Sequence, residues 1–495
     1  AAGGSEAGLV MTGSDSFIAA PASLTVNGVS SGPIKAGAAF SATVSARNAA
    51  AAITPNFARE TVAESVTLGF VRIAPTGVGT VDGSFSGSLG AFSSGSASAS
   101  NLAWTEVGRG DLVARLSSNS YLGSGLGAFG ASAALGATFC ANENGQCSLP
   151  ANTTATVYYG ANASYTVRTG RTNNVACNSS TFGDPLSGAT NKCFYAVTSA
   201  STGSVGDFIP HHFDVVAAAA CGVFTYAGQP VSATVTARNA GGGATLNFDG
   251  AALITPNFAQ AVTLSDGGGN GLGTLSGASI AATAFTPGVA QASPTYAYTS
   301  KTTAPSTLVL RAANAGTGNA AISSAGYTEG SVALRSGRLR LSTAYGSARA
   351  LLQMPVVAEH WSGDRWMLNS ADNCTSLLST SVAVSNPRTA AGVVSVAVST
   401  PGALTLASGS GLLSLAAPLP LGSSLSVDVA LNLGGTTTDQ SCHTGHPLTV
   451  GAAKPWLRAQ NGSCATSPDR DPAARASFGI FTPESRKTVH LREMF

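Results

Sequence analysis

Apolar and small polar residues alternate along several segments of the chain. In one of them Phe40, Ala42, Val44 and Ala46 alternate with serine and threonine, and the run 425–433 places leucine or valine at every second position. A period of two is the pattern of a β-strand that buries one face. No segment keeps a sustained helical period. The pattern therefore predicts an all-β chain of tandem β-sandwiches with immunoglobulin-like or related topology.

One of these strands belongs to an internal repeat. The segment 36–49 returns as 227–240, a shift of 191 residues, and the segment 53–58 returns as 254–259, a shift of 201 residues. The second copy therefore holds ten extra residues, which lie around 241–249. Two copies of one strand pattern predict two homologous domains.

We predict four units along the chain. The first sandwich repeat covers 14–137, a small inserted disulfide-bonded β module covers 138–200, the second repeat covers 205–334, and a C-terminal sandwich covers 335–495. A length of 495 residues agrees with three or four domains of roughly 150 residues each.

The composition is typical of an exported β protein and excludes several classes of protein. Only 10% of the residues are charged, whereas 44% are hydrophobic, so the chain is not disordered through charge. A net charge of +2 with five lysines provides no basic stripe, and we expect no nucleic-acid partner. Prolines divide the uncharged stretch between Arg388 and Asp428. We therefore predict no transmembrane segment.

The eight cysteines are even in number, and most stand in close pairs. Disulfides in such a chain indicate an oxidising, extracellular compartment. The alternative is zinc at Cys442, His443 and His446, but an oxidised Cys442 could not bind it, and we predict no metal site. Proximity along the sequence, and elimination for the last pair, give the candidate disulfides Cys140 with Cys147, Cys177 with Cys193, Cys442 with Cys464, and Cys221 with Cys374.

The sequence contains no recognisable catalytic constellation. None of the six histidines stands with a carboxylate in an acid–base arrangement, and aspartate and glutamate are scattered singly. A glycan-active enzyme would need a pair of such carboxylates. We predict that the protein is not an enzyme and uses no cofactor.

Nine short motifs occur in order along the chain, among them 104–108 (WTEVG), 206–213 (GDFIPHHF), 337–341 (GRLRL) and 471–480 (DPAARASFGI). Together they resemble the C-terminal extracellular region of MshQ-like proteins, which are named for the mannose-sensitive haemagglutinin (MSHA) type IV pilus of proteobacteria. The resemblance implies an exported protein on the cell surface or pilus of a Gram-negative bacterium, with pilus or other surface proteins as partners. Many relatives carry a lectin-like domain nearer the N-terminus. Residues 1–13 have the composition of a linker, and we therefore interpret this chain, which begins at Ala1, as a fragment.

Residues 138–197 depart from that pattern and resemble a small disulfide-bonded module of secreted bacterial proteins that act on polysaccharides. In one interpretation its aromatic rings stack on sugars and its polar side chains bind their hydroxyls. In the other, disulfides and buried aromatics only hold together a module too small for a good core. The candidate glycan-binding residues are Tyr158, Tyr159, Tyr165, Arg168, Asn178, Phe182 and Asp184.

These observations lead to two hypotheses on function. The first is a non-enzymatic extracellular surface protein, a pilus-associated adhesin or stalk that presents a binding surface, with polysaccharide as the ligand of the module. The second is a structural subunit of an extracellular filament or sheath, which self-assembles by β-strand pairing between chains.

Overall fold

The computed structural model is nearly all β, which confirms the predicted fold class. Within the described residues, no helix is long and apolar enough to cross a membrane. The described residues are 16–118, 120–132, 137–150, 153–161, 164–197, 204–251, 253–388, 394–439, 446–459 and 470–479.

The N-terminal half contains the first sandwich and the module. The strands before the module are β1 (Ser23–Asn27), β2 (Ile34–Lys35), β3 (Phe40–Arg47), β4 (Val66–Ala74), β5 (Phe85–Ser86), β6 (Ser96–Trp104), β7 (Gly108–Leu116) and β8 (Phe129–Ala131). The module contains β9 (Thr138–Asn142), β10 (Gly145–Cys147), β11 (Ala155–Ala161), β12 (Ser164–Arg171), β13 (Val175–Cys177), the short helix α1 (Ser179–Phe182) and β14 (Lys192–Val197).

The remaining strands form the end of the first sandwich and two further sandwiches. The first sandwich ends with β15 (Val205–Ile209). The strands of the second sandwich are β16 (His212–Ala218), β17 (Thr225–Tyr226), β18 (Ser232–Arg238), β19 (Val262–Asp266), β20 (Gly273–Ser276), β21 (Ser279–Ile280), β22 (Val289–Ala292), β23 (Thr295–Tyr298), β24 (Ser306–Asn314) and β25 (Ser331–Arg335). The strands of the third sandwich are β26 (Gly337–Leu341), β27 (Ala344–Gly346), β28 (Leu352–Trp361), β29 (Trp366–Leu368), β30 (Ser376–Leu378), β31 (Val382–Arg388), β32 (Ala403–Thr405), β33 (Ser410–Leu415), β34 (Leu425–Leu431) and β35 (Ala473–Phe478). Short 3₁₀ turns lie at Tyr121–Gly123, Ala282–Ala284, Gly318–Ala320, Ser379–Ser381 and Pro455–Leu457.

Each sandwich consists of two main sheets with a core between them. The first has the orders β1-β3-β6-β5 and β2-β15-β7-β4, with β8 beside β7. The second has β16-β18-β22 and β17-β25-β24-β19-β21, and the third has β26-β28-β29, with β33 beside β28, and β27-β35-β34-β31. The module has the order β12-β11-β14-β9 and a two-stranded β10-β13 sheet.

The cores contain the side chains that the alternation predicts. In β3 the residues Phe40, Ala42, Val44 and Ala46 are all buried, and the equivalent residues of β18 are buried in the second sandwich. In β34 of the third sandwich the alternating Leu425, Val427, Val429 and Leu431 are buried as well, and most of the residues between them are also covered. The period of two therefore marks the buried face in all three sandwiches.

One pairing recurs in all three sandwiches. A strand of two or three residues runs parallel to the last strand of its sandwich: β2 to β15, β17 to β25 and β27 to β35. The last strand then leads almost directly into the next sandwich, through residues 210–211 between β15 and β16 and through Ser336 alone between β25 and β26. Linkers this short leave little freedom between neighbouring sandwiches.

One predicted domain boundary differs from the boundary in the structure. Residue 205 was expected to begin the second repeat, but β15 pairs with β2 and β7 and so completes the first sandwich. The second sandwich begins at β16, and the module is inserted within the first sandwich, between β8 and β15. Sequence spacing could not show this, because the sheet partners of β15 precede the module.

Phe208 on β15 should stabilise the first sandwich and not the second. Its buried ring lies 5.0 Å from the ring of Trp104 and 5.6 Å from that of Phe70, measured between centroids. We expect Phe208→Ala to lower the unfolding free energy by about 3–5 kcal/mol, because it leaves a cavity. In the full chain, hydrogen–deuterium exchange should accelerate in β3, β6 and β7 and stay unchanged in β18 and β24. Phe17→Ala is the control, since Phe17 is 89% exposed; loss of protection in the second sandwich instead would contradict the assignment.

Candidate functional site

The module docks on the outer face of the first sandwich through its tyrosines. Strand β7 is buried on both faces, and Val113 belongs to the face covered by the module. The rings of Tyr158 and Tyr165 each lie 5.4 Å from the ring of Phe129 on β8. The Tyr158 hydroxyl donates a hydrogen bond to the buried carboxylate of Asp111. Burial, together with that carboxylate, raises the pKa of Tyr158, so the hydroxyl keeps its proton and remains a donor.

A second small core lies inside the module. The rings of Tyr159 and Phe182 stack with 5.2 Å between their centroids, and both side chains are buried. The Tyr159 hydroxyl donates to Glu143 at 2.6 Å. The disulfides Cys140–Cys147 and Cys177–Cys193 adjoin the same core.

This burial corrects the expectation that the four aromatic side chains stack on sugars. Tyr158 and Tyr159 are 0% exposed, and Tyr165 and Phe182 are 8% and 4% exposed. A sugar ring can stack only on an aromatic face that solvent reaches, and these faces are covered by protein. The four rings instead supply the apolar contacts that a module of this size needs.

The three polar candidates form hydrogen bonds to backbone groups of the module itself. The guanidinium of Arg168 donates to the carbonyl oxygen of Thr181 at 2.6 Å. Asn178 caps α1 by accepting from the Thr181 backbone N–H at 2.9 Å. Asp184 accepts from the backbone N–H of Leu186 at 3.1 Å. The structure does not bring these residues and the aromatic rings together on one surface.

The cysteines pair as proximity and elimination suggested wherever the structure describes them. Cys221, in the second sandwich, is bonded to Cys374 in the third, so this disulfide crosses the junction. Asp372 lies beside the two sulfurs, but sulfurs in a disulfide cannot act as thiolate metal ligands. Cys442 and Cys464 lie outside the described residues, and so does most of the alternative zinc segment.

The junction between the first and second sandwiches is built on a buried carboxylate. Glu106, from the segment that joins β6 to β7, is 5% exposed. Its two oxygens accept hydrogen bonds from the backbone N–H groups of Val107 at 2.8 Å, Leu246 at 3.0 Å and Asn247 at 3.1 Å. Burial raises the pKa of Glu106, while these hydrogen bonds and the charge of Arg72 act in the opposite direction.

The ten extra residues of the second repeat supply the other side of this junction. Asn247, fully buried, donates through Nδ2 to the carbonyl oxygens of Val81 at 2.9 Å and Val107 at 3.1 Å. Its Oδ1 accepts from the Val81 backbone N–H at 2.9 Å. Sequence reasoning missed this site, although the ten-residue difference between the repeats and the motif 104–108 were both visible.

A similar polar contact joins the second and third sandwiches. The hydroxyl of Tyr226, next to the end of β25, donates to the buried carboxylate of Asp372 at 2.8 Å and accepts from Asn369 Nδ2 at 2.7 Å. Phe224 and Tyr226 are part of the core of the third sandwich, although they belong to the second. Each junction therefore combines satisfied buried polar groups with a segment of one sandwich that packs against the next.

Removing the Tyr158 hydroxyl should loosen the module. We expect Tyr158→Phe to weaken docking on the first sandwich by about 1–3 kcal/mol, because the buried carboxylate of Asp111 loses a hydrogen-bond donor. The measurement is hydrogen–deuterium exchange of β11 and β12 in the full chain. Tyr195→Phe is the matched control, since the described structure shows no hydrogen bond from the Tyr195 hydroxyl. Equal exchange in the two variants would contradict the docking role.

Truncation of Glu106 should loosen the first junction. We expect Glu106→Ala to cost about 1–3 kcal/mol of docking free energy, because it leaves backbone N–H groups at the interface without an acceptor. The amides of Leu246 and Asn247 should then exchange faster. Asp82→Ala removes a nearby carboxylate whose side chain is 78% exposed and should leave both amides protected. Unchanged protection in Glu106→Ala would show that the carboxylate does not hold the junction.

Comparisons with solved structures return adhesins at low similarity. The adhesin InvE of Yersinia pseudotuberculosis is 16% identical with a TM-score of 0.19, over 54% of this chain and 59% of InvE, so the chain covers less than two thirds of that protein. The D0-D1 domain of intimin is 12% identical with a TM-score of 0.15, over 54% of this chain and 98% of that one. A tetra-tandem repeat from the extending region of a large adhesion protein is 12% identical with a TM-score of 0.15, over 92% of this chain and 99% of that one. The fold assignment rests on the strands and sheets described above.

Comparisons at the level of sequence families are more specific. No curated protein matches the chain. Three consecutive domain models of one family do match it: the second domain of DUF6701 at residues 7–103, the third at 186–325 and the fourth at 335–494. Most of the inserted module falls between the first two matches. Together the matches span most of the sequence, and the chain therefore belongs to the DUF6701 family.

Proposed function

We propose that the chain is a non-enzymatic extracellular stalk that presents the binding surface of a surface adhesin. One observation carries this proposal: three sandwiches follow one another through linkers of one or two residues, with hydrogen bonds between buried groups across both junctions. A stalk must keep its domains in a fixed relation so that a distant surface stays displayed. Short linkers and specific interdomain hydrogen bonds provide that fixed relation.

The disulfides support an extracellular location. Cys221–Cys374 locks the second sandwich to the third, and two further disulfides close the module. Disulfides of this kind persist in oxidising compartments and are rare in the cytosol. A module stapled in this way stays folded outside the cell despite its small cores.

We further propose that the stalk is associated with a type IV pilus on a Gram-negative bacterium and has pilus or other surface proteins as partners. The resemblance of its ordered motifs to the MshQ-like pattern supports this finer assignment. The low charge content, only 10% of residues, suits a surface displayed outside the cell and disfavours nucleic acid as a partner.

A filament subunit is the second candidate. Among the described strands, β12 pairs only with β11, and so leaves a sheet edge to which another chain could add a strand. By contrast, the edge strand β31 contains Pro387, which lacks a backbone N–H donor and makes that edge a poor template. An open edge on the module thus favours this candidate less strongly than the two junctions favour a stalk.

Immunogold labelling of intact cells separates the two candidates. With an antibody to residues 205–495, we expect label along or at the tips of pili in the parent strain and loss of that label in a strain without its major pilin. Label on the cell body would retain the surface location but overturn the pilus assignment. Label on separate fibres that persist without pilin would overturn the stalk and support the filament subunit. Absence of label on intact, unpermeabilised cells would overturn the extracellular location itself.

A further inference from the structure

A polar cleft on the module offers a ligand site distinct from its buried tyrosines. It lies where β12 ends and the chain turns toward β13, and it has a volume of about 290 Å³. Most of its lining is exposed and hydrophilic, and no aspartate or glutamate among the described residues lines it. The polar side chains of its lining are those of Arg171, Thr172, Asn173, Asn174 and Thr181.

Arg171 is the unsatisfied group of this cleft. Its Nε atom is buried and has no hydrogen-bond partner among the described residues. Like Arg168 and several arginines outside the module, Arg171 forms no ion pair with a carboxylate of the described residues. Because Nε is buried, a ligand would reach the Arg171 guanidinium through its terminal nitrogens, which donate in the same plane.

The neighbouring side chains extend this cationic centre with groups that suit hydroxyls. Arg168 is tied to the Thr181 carbonyl oxygen, which holds a second guanidinium near the cleft. The Thr172 hydroxyl and the Asn173 amide can each donate and accept, as sugar hydroxyls require of their partners. Asn174 is already engaged, because its Oδ1 accepts from the Leu149 backbone N–H at 3.1 Å.

We propose that this cleft binds a uronic acid residue of an acidic polysaccharide. The guanidinium of Arg171 would pair with the sugar carboxylate, since its planar fork matches carboxylate geometry, and Thr172 and Asn173 would bind the ring hydroxyls. The volume is just below the range of about 300–1,000 Å³ for ligand pockets, which fits one sugar residue of a longer chain. This inference rests on the proposed adhesin function and names the ligand class of its module.

The test is calorimetric titration of the full chain with polygalacturonate oligomers, with neutral dextran and polyglutamate as comparison ligands. We expect binding to polygalacturonate and none to dextran. Arg171→Gln should weaken binding at least tenfold, and Thr172→Val and Asn173→Ala should each weaken it several-fold. Lys192→Gln is the matched control, because Lys192 is an exposed cation of the same module outside the cleft and should bind like the parent chain.

Three results would overturn the inference: no binding of polygalacturonate by the parent chain, unchanged binding by Arg171→Gln, or equally tight binding of polyglutamate, which would indicate an acidic peptide site. Hydrogen–deuterium exchange of β11 and β12 shows whether Arg171→Gln keeps the module folded. If the module of Arg171→Gln is not folded, the polygalacturonate binding of Asn173→Ala, which changes a residue of the exposed loop, is the deciding measurement. If immunogold labels the cell surface but the chain does not bind polygalacturonate, only the proposed ligand is refuted. If the chain binds polygalacturonate but no label is found on the cell surface, only the proposed adhesin function is refuted.

Discussion

The parallel pairing of a short strand with the last strand controls how this chain passes from one sandwich to the next. Parallel strands run in the same direction, so β2 and β15 end at the same side of the first sandwich, and only two residues separate β15 from β16. Residues at the end of the short strand or directly after it therefore contact the next sandwich. The Ala36 carbonyl oxygen accepts from the Ala240 N–H at 2.8 Å, and Tyr226, which ends β17, reaches Asp372 in the third sandwich.

Buried polar groups then fix the orientation that the parallel pairing allows. Apolar contacts tolerate small rotations, but Glu106 and Asn247 satisfy their hydrogen bonds in one arrangement of the two sandwiches. Rotation would leave these groups buried without partners, and that penalty exceeds the loss of a few apolar contacts. The ten residues added to the second repeat thus have a clear role, because they carry Asn247 into the interface. Cys221–Cys374 adds a covalent constraint at the other junction.

The inserted module and the first sandwich each bury apolar side chains of the other. The outer face of strand β7 is buried in a cluster to which the module contributes Tyr158 and Tyr165. The aromatic residues are therefore used for docking and for the inner core of the module. In the proposed function, recognition would fall to the exposed polar end of the module, which Arg171 lines. Adhesion and mechanical display would then occupy separate parts of one chain.

The sequence by itself determined the features that depend on near neighbours. The period of two in β3, β18 and β34 and the bridge between Cys140 and Cys147 involve residues that lie close together along the chain, and the repeat is found by comparing the sequence with itself. Only the tertiary structure decided that β15 completes the first sandwich, that Tyr158 is buried, and that Glu106 holds a junction. A tyrosine that covers a sheet and a tyrosine that stacks on a sugar look alike in sequence. The difference comes from partners far along the chain: Tyr158 meets Asp111 47 residues away, and Glu106 meets Asn247 141 residues away.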